Sequence, residues 1–206
     1  MSHGVVPDRL AEGARAGIGP LARALAGMGI SANAVTIAGG VLSVVGAGLI
    51  AVGMPLPALV VLLIGTVADT LDGQIAKAAG GGTRLGAFLD STVDRIADGA
   101  LFVGAAASGA NLGQPLLLWS SLVALVASFM VPYVRAKAES LGVGASVGPA
   151  PREARIVIFL SGLAAWAILD LQVLFVAAVA ALALLSTITF VLRVAHVGRQ
   201  LSTKER

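Results

Sequence analysis

Five of the eleven carboxylates in this chain, Asp69, Asp72, Asp90, Asp94 and Asp98, lie within thirty residues of one another. Asp69 and Asp72 are three apart and Asp90 and Asp94 four apart, so on helices each pair shares a face. Gly80-Gly81-Gly82 separates the two pairs and supplies a turn that folds one face towards the other. Anions crowded in apolar surroundings repel one another and lose their hydration, a cost that divalent cations offset. Carboxylate oxygens are hard ligands suited to magnesium or manganese, and two such ions side by side would clamp a phosphoryl or diphosphate group.

The neighbouring residues suit a phosphate. Gly73 leaves the backbone beside Asp72 open to a ligand, and Lys77 follows one turn later. Gly80, Gly81 and Gly82 offer backbone amides, Thr83 adds a hydroxyl, and Gly86 leaves room one turn before Asp90. Asp98 is expected to pair with Arg95, three residues earlier, which leaves four aspartates for metal. A second cluster is basic: Tyr133, Arg135, Lys137 and Glu139, then Arg152 and Arg155, then Arg193 and His196. Such a cluster can hold a phosphate. It also has a topological explanation, because cytoplasmic helix ends collect lysine and arginine.

The elements that must position these groups are apolar. The 206 residues are 57% hydrophobic and 12% charged, with a mean hydropathy of +0.94, where a soluble domain would carry about 25% charged residues. Six apolar runs, roughly 34–53, 57–76, 86–108, 116–139, 153–170 and 172–195, are each about long enough to cross a bilayer. Of the fourteen Lys and Arg, three precede the first run, Lys77 and Arg84 lie in the turn after the second, Arg95 is one to two turns into the third, four flank the turn after the fourth, and four end the chain; none lies in the turns after the first, third or fifth. Positive residues favour the cytoplasmic side, so the expected fold is all-α: a polytopic membrane protein with six transmembrane helices and both termini cytoplasmic. The active site and the basic cluster would share that face of the cell membrane.

Residues 1–29 mix Asp8, Arg9, Glu12, Arg15 and Arg23 with short apolar groups. They read as an interfacial amphipathic helix rather than a cleavable signal, with Leu10, Ile18, Leu21 and Leu25 inward. One domain is expected over 1–206: this segment, a helical bundle over 30–197 and a polar tail over 198–206. Gly39, Gly40, Gly46 and Gly48 in the first run suit close helix packing. Trp119 and Trp166 read as interfacial or packing residues. The absence of cysteine excludes disulfides, zinc–thiolate sites and cysteine nucleophiles. Despite a net charge of +3, aromatics are only 4% and the basic residues are dispersed, which argues against nucleic acid and for an anionic lipid surface.

The stretch Asp69-Thr70-Leu71-Asp72-Gly73-Gln74-Ile75-Ala76-Lys77, followed by Gly86, Asp90 and Asp94, resembles the CDP-alcohol phosphatidyltransferase signature D-x-x-D-G-x-x-A-R, spacer, G-x-x-x-D-x-x-x-D. Lys77 stands where the family has arginine, so the charge is kept and the bidentate fork is lost. The resemblance implies that Asp69, Asp72 and Asp90 hold one metal, that Asp72, Asp90 and Asp94 contact a second, and that Asp94 is the general base. It implies that Gly73, Lys77 and Thr83 contact the CDP part of the donor, CDP-diacylglycerol. Ser31-Ala32-Asn33-Ala34-Val35-Thr36 resembles the family segment near the nucleotide, which would make Ser31 and Asn33 donor contacts. Helix capping by either is the other reading of that segment. Tyr133–Glu139 with Pro151–Arg155 resembles the actinobacterial phosphatidylinositol phosphate synthase branch. There the acceptor is inositol 1-phosphate, and Arg135, Arg155 and Arg193 would bind its phosphate. That branch commonly has lysine at Arg135 and serine at Pro132, so another phosphorylated polyol such as glycerol 3-phosphate remains open. Phosphatidylglycerophosphate or cardiolipin synthesis is the nearest alternative. A cation transporter is a distant one, because Asp170 alone would supply an acidic path outward. A homodimer is implied by the family resemblance alone.

Overall fold

The computed structural model describes residues 19–204, and all regular structure among them is helical. Residues 1–18 of the expected amphipathic segment, with Leu10 and Ile18, lie outside the described residues, as do Glu205 and Arg206. Helix α1 covers 19–27 and ends where Gly29 takes φ +79°. The others are α2 (Ala32–Ala51), α3 (Pro55–Ala78), α4 (Arg84–Asn111), α5 (Pro115–Ser140), α6 (Arg152–Leu169) and α7 (Gln172–Lys204). Each expected run is therefore a helix. Turn chemistry sets the breaks: Gly53, Gly80, Gly81 and Gly113 all have positive φ, and Pro55 and Pro115 open α3 and α5.

Four helices, α2, α3, α5 and α7, are long and apolar enough to cross a membrane, and only 33–39% of each apolar segment is buried within the protein. The rest of those surfaces requires an apolar solvent, so this is a multi-pass membrane protein. α4 and α6 differ in charge: α4 carries Asp90, Asp94, Arg95 and Asp98, and α6 carries Arg152, Glu153 and Arg155. α7 runs nine residues past its expected end at 195. The sequence turns polar there, but nothing breaks the helix, and 33 residues rise about 50 Å.

The chain forms two compact units, and α2, α3 and α4 contribute residues to both. The first comprises the described residues up to Gly46 with Val60–Ala97. Here α1 lays Ala22 against Leu71 and Ile75 of α3, with Leu25 and Ala26 alongside. Leu21 is exposed on the protein surface, and the side of α1 that meets α3 is centred on Ala22. A Cβ at Gly39 would touch the Ala68 Cβ and the Gly65 carbonyl at 3.5 Å, and one at Gly40 would overlap Val93. Glycine at 40 lets α2 approach α4, whereas a Cβ at Gly39 would make only ordinary contact with α3.

The second unit comprises Ala47–Leu59 and the described residues from Asp98 on. Phe159 meets Phe102 and Phe175 edge-on, with centroids 6.0 and 5.3 Å apart, and Trp166 stacks on Phe175 at 5.5 Å. Trp166 is thus a packing residue, while Trp119 is 65% exposed on α5. The connection between α5 and α6 is held against the end of α7. Val197 and Leu201 cover Ala138, Val143 and Ala145. The Gln200 amide donates to the Gly144 carbonyl at 3.3 Å. The Ala150 N–H donates to the Thr189 hydroxyl at 3.1 Å.

Candidate active site

The last three turns of α3 and the first three of α4 carry the aspartates, and the Gly80–Gly81 turn joins them. The Gly81 N–H donates back to the Ala76 carbonyl at 2.9 Å, closing α3. Thr83 opens α4 by accepting the Gly86 N–H at 2.9 Å. The outcome is a convergence within the first unit: carboxylate oxygens of Asp69, Asp90 and Asp94 lie within 4.8 Å of one another. That separation is about twice a metal–oxygen bond, so three all-oxygen ligands fit a divalent metal. Asp69 and Asp90 are exposed and Asp94 is half-buried.

Asp72 is buried at 7% exposure, close enough to Asp69 and Asp90 to feel their charge. The Thr36 hydroxyl of α2 donates to its Oδ2 at 2.5 Å. Asp72 therefore lies near the group formed by Asp69, Asp90 and Asp94, whose oxygens alone share the 4.8 Å spacing. Arg95 does not pair with Asp98 as expected; its Nη2 stands 3.9 Å from Asp94, and its Nε donates to the Ser91 carbonyl at 3.4 Å.

The proposed donor contacts also belong to the first unit. Lys77 is exposed in the last turn of α3, and the space beside Gly73 is open. Ser31 caps α2, its Oγ accepting the Ala34 N–H at 3.2 Å. A Cβ at Gly86 would meet the Asn33 amide oxygen at 3.3 Å and the Thr83 hydroxyl at 3.2 Å, so Asn33 and Thr83 flank the start of α4.

The basic residues belong to the second unit. Arg135 and Arg155 are both near enough to Arg193 for their charges to interact with it. Each has a protein partner. Arg135 Nε donates to Glu139 at 2.9 Å on an exposed face. Arg193 Nε and Nη1 donate to the carbonyls of Val147 and Val131, both at 2.9 Å. Arg155, 4% exposed, donates from Nη2 to Asp98 Oδ2 at 2.9 Å, and Arg152 Nε lies 3.5 Å from Asp98 Oδ1. Asp98 thus takes partners from α6, because its side chain is buried among that helix's first turn and not beside Arg95. Sequence spacing gave no sign of either Thr36–Asp72 or Asp98–Arg155, which bridge 36 and 57 residues.

Apolar helices that bring together carboxylate oxygens spaced for a divalent ion define a class of membrane-embedded protein with a cluster fit for a metal. The model of the CDP-alcohol phosphatidyltransferase family matches residues 29–198, and the chain belongs to that family. It is 40% identical to the phosphatidylinositol phosphate synthase of Mycolicibacterium smegmatis over 145 residues, 69% of this chain and 65% of that protein. It is 33% identical to the archaetidylinositol phosphate synthase of Pyrococcus horikoshii over 184 residues, 88% of this chain and 90% of that one. The structure is similar to the Mycobacterium tuberculosis phosphatidylinositol phosphate synthase in complex with manganese and citrate, with a TM-score of 0.81 and 35% identity over 87% of this chain and 88% of that one. It is also similar to the same synthase with CDP-DAG bound, with a TM-score of 0.79 and 34% identity over 87% and 92%.

Proposed function

We propose that this protein transfers a phosphatidyl group from CDP-diacylglycerol to a hydroxyl of inositol 1-phosphate, releasing CMP. The convergence of Asp69, Asp90 and Asp94 carries this reading, supported by relatives that are inositol phosphate synthases over two thirds or more of the chain. The acceptor oxygen forms a bond to the lipid-linked phosphorus as that phosphorus loses its bond to the CMP oxygen. Asp94, at the inner end of the triad, accepts the hydroxyl proton. Asp69, Asp72, Asp90 and Asp94 would hold two divalent ions, magnesium or manganese, which when bound neutralise the diphosphate and the departing CMP.

Gly73, Lys77 and Thr83 would hold the diphosphate, and Ser31 and Asn33 the nucleotide end. Arg135, Arg155 and Arg193 would hold the acceptor phosphate; their mutual proximity supports this, although each also has a protein partner. We read residues 1–206 as one membrane domain with six spans, α4 and α6 crossing despite their charges. Both termini and the active site would face the cytoplasm, and the protein would act as a homodimer.

The test supplies purified protein with CDP-diacylglycerol and magnesium and follows CMP release. Inositol 1-phosphate, glycerol 3-phosphate and phosphatidylglycerol are offered separately. CMP release with inositol 1-phosphate alone is expected. Release with glycerol 3-phosphate alone would replace the acceptor, a result that Pro132 inside α5 makes worth seeking. No release with any acceptor would refute the activity.

A further inference from the structure

Asp72, beside the group formed by the oxygens of Asp69, Asp90 and Asp94, takes a hydroxyl from another helix. Thr36 and Asp72 are 8% and 7% exposed, and the Thr36 Oγ1 to Asp72 Oδ2 distance is 2.5 Å. Thr36 Oγ1 also lies 3.1 Å from the carbonyl of Ala32. A hydroxyl has one proton to give. The shorter contact, to a group that must be a carboxylate when it ligates metal, is the one that takes it.

We infer that Thr36 is a positioning residue for the metal site: by holding Oδ2, together with the Gly73 backbone hydrogen bond to the same carboxylate, it sets the orientation in which Asp72 meets a cation. The inference rests on the proposal that the aspartates bind divalent metal. Threonine suits the task because its branched Cβ leaves few rotamers in a helix. The helix that carries it is itself anchored. Ser31 caps its start, and Gly39 seats it against Gly65 and Ala68 of α3. The hydroxyl therefore reaches Asp72 from a fixed point, and the carboxylate plane is set before any ion arrives. Outer-shell hydrogen bonds of this kind orient ligating groups, and their loss typically lowers metal affinity about 10- to 100-fold.

The test measures manganese binding to the purified full chain by electron paramagnetic resonance of the free ion, with no substrate present. Thr36→Val keeps the shape and removes the hydroxyl; it should weaken binding by about 10- to 100-fold. Thr36→Ser keeps the donor and should bind as the unaltered protein does. Size exclusion and thermal melting establish that each variant is folded, and Thr36→Ala tests the same loss should valine prevent folding. A folded valine or alanine variant that binds manganese as tightly as the unaltered chain overturns the inference. So does a serine variant as weak as valine. An unaltered chain that binds no manganese would instead refute the metal site itself.

Discussion

Replacing Asp98 by leucine should destabilise the protein severely, and the structure sets the size of the effect. Asp98 and Arg155 are 6% and 4% exposed, joined at 2.9 Å, with Arg152 a further 3.5 Å contact. Removing the carboxylate takes from the buried Arg155 guanidinium its 2.9 Å ion pair, beside a second arginine. Breaking a buried pair from one side costs about 3–5 kcal/mol, out of a typical total of about 5–15 kcal/mol. Arg152 is partly exposed and recovers hydration, so most of the cost falls on Arg155. Thermal unfolding in detergent, followed by circular dichroism or a size-exclusion loss assay, should show a large drop in melting temperature. The double variant Asp98→Leu with Arg155→Met removes both charges and should return close to the starting stability. A single variant that melts with the unaltered protein would refute the reasoning. So would a double variant no better than the single one, because the penalty would then not be an uncompensated charge.

Asp94→Asn should lower CMP release by about 10²–10⁴-fold while CDP-diacylglycerol binding stays measurable; turnover at the original rate would remove Asp94 as the base. Chelation with EDTA should abolish CMP release, and added magnesium or manganese should restore it. Gly104→Ala should cost about 1–3 kcal/mol, read as a lower melting temperature, because a Cβ there would overlap the carbonyl of Ala47. Arg193→Leu should expose the connection between α5 and α6 to limited proteolysis, since it removes the donors to Val147 and Val131.

Much of the fold was legible because its signals are local. Apolar runs bounded by glycine and proline mark α2–α6 and the start of α7 to within a few residues, and three- and four-residue spacings place the aspartates on helix faces. The convergence of Asp69, Asp90 and Asp94 followed from those faces and one glycine turn. Partners distant in sequence were not legible. Asp98 had a plausible neighbour in Arg95, and only the packing of α6 against α4 reveals Arg155 as its partner. Thr36 stood in a segment singled out for the nucleotide, yet nothing in a helix start foretells a bond to Asp72. The end of α7 was misjudged because apolarity stops at the membrane boundary while helix propensity does not.

That overlong final helix changes what the chain's closing residues are for. They look like a soluble appendage, but Val197, Gln200 and Leu201 act as a splint for the connection that runs from Leu141 towards α6. Shortening the protein after His196 would strip the cover from Val143 and Ala145 and leave that stretch to the hydrogen bonds of Arg193 and Thr189. An affinity handle therefore belongs beyond the helix, added after its final turn, not substituted for it.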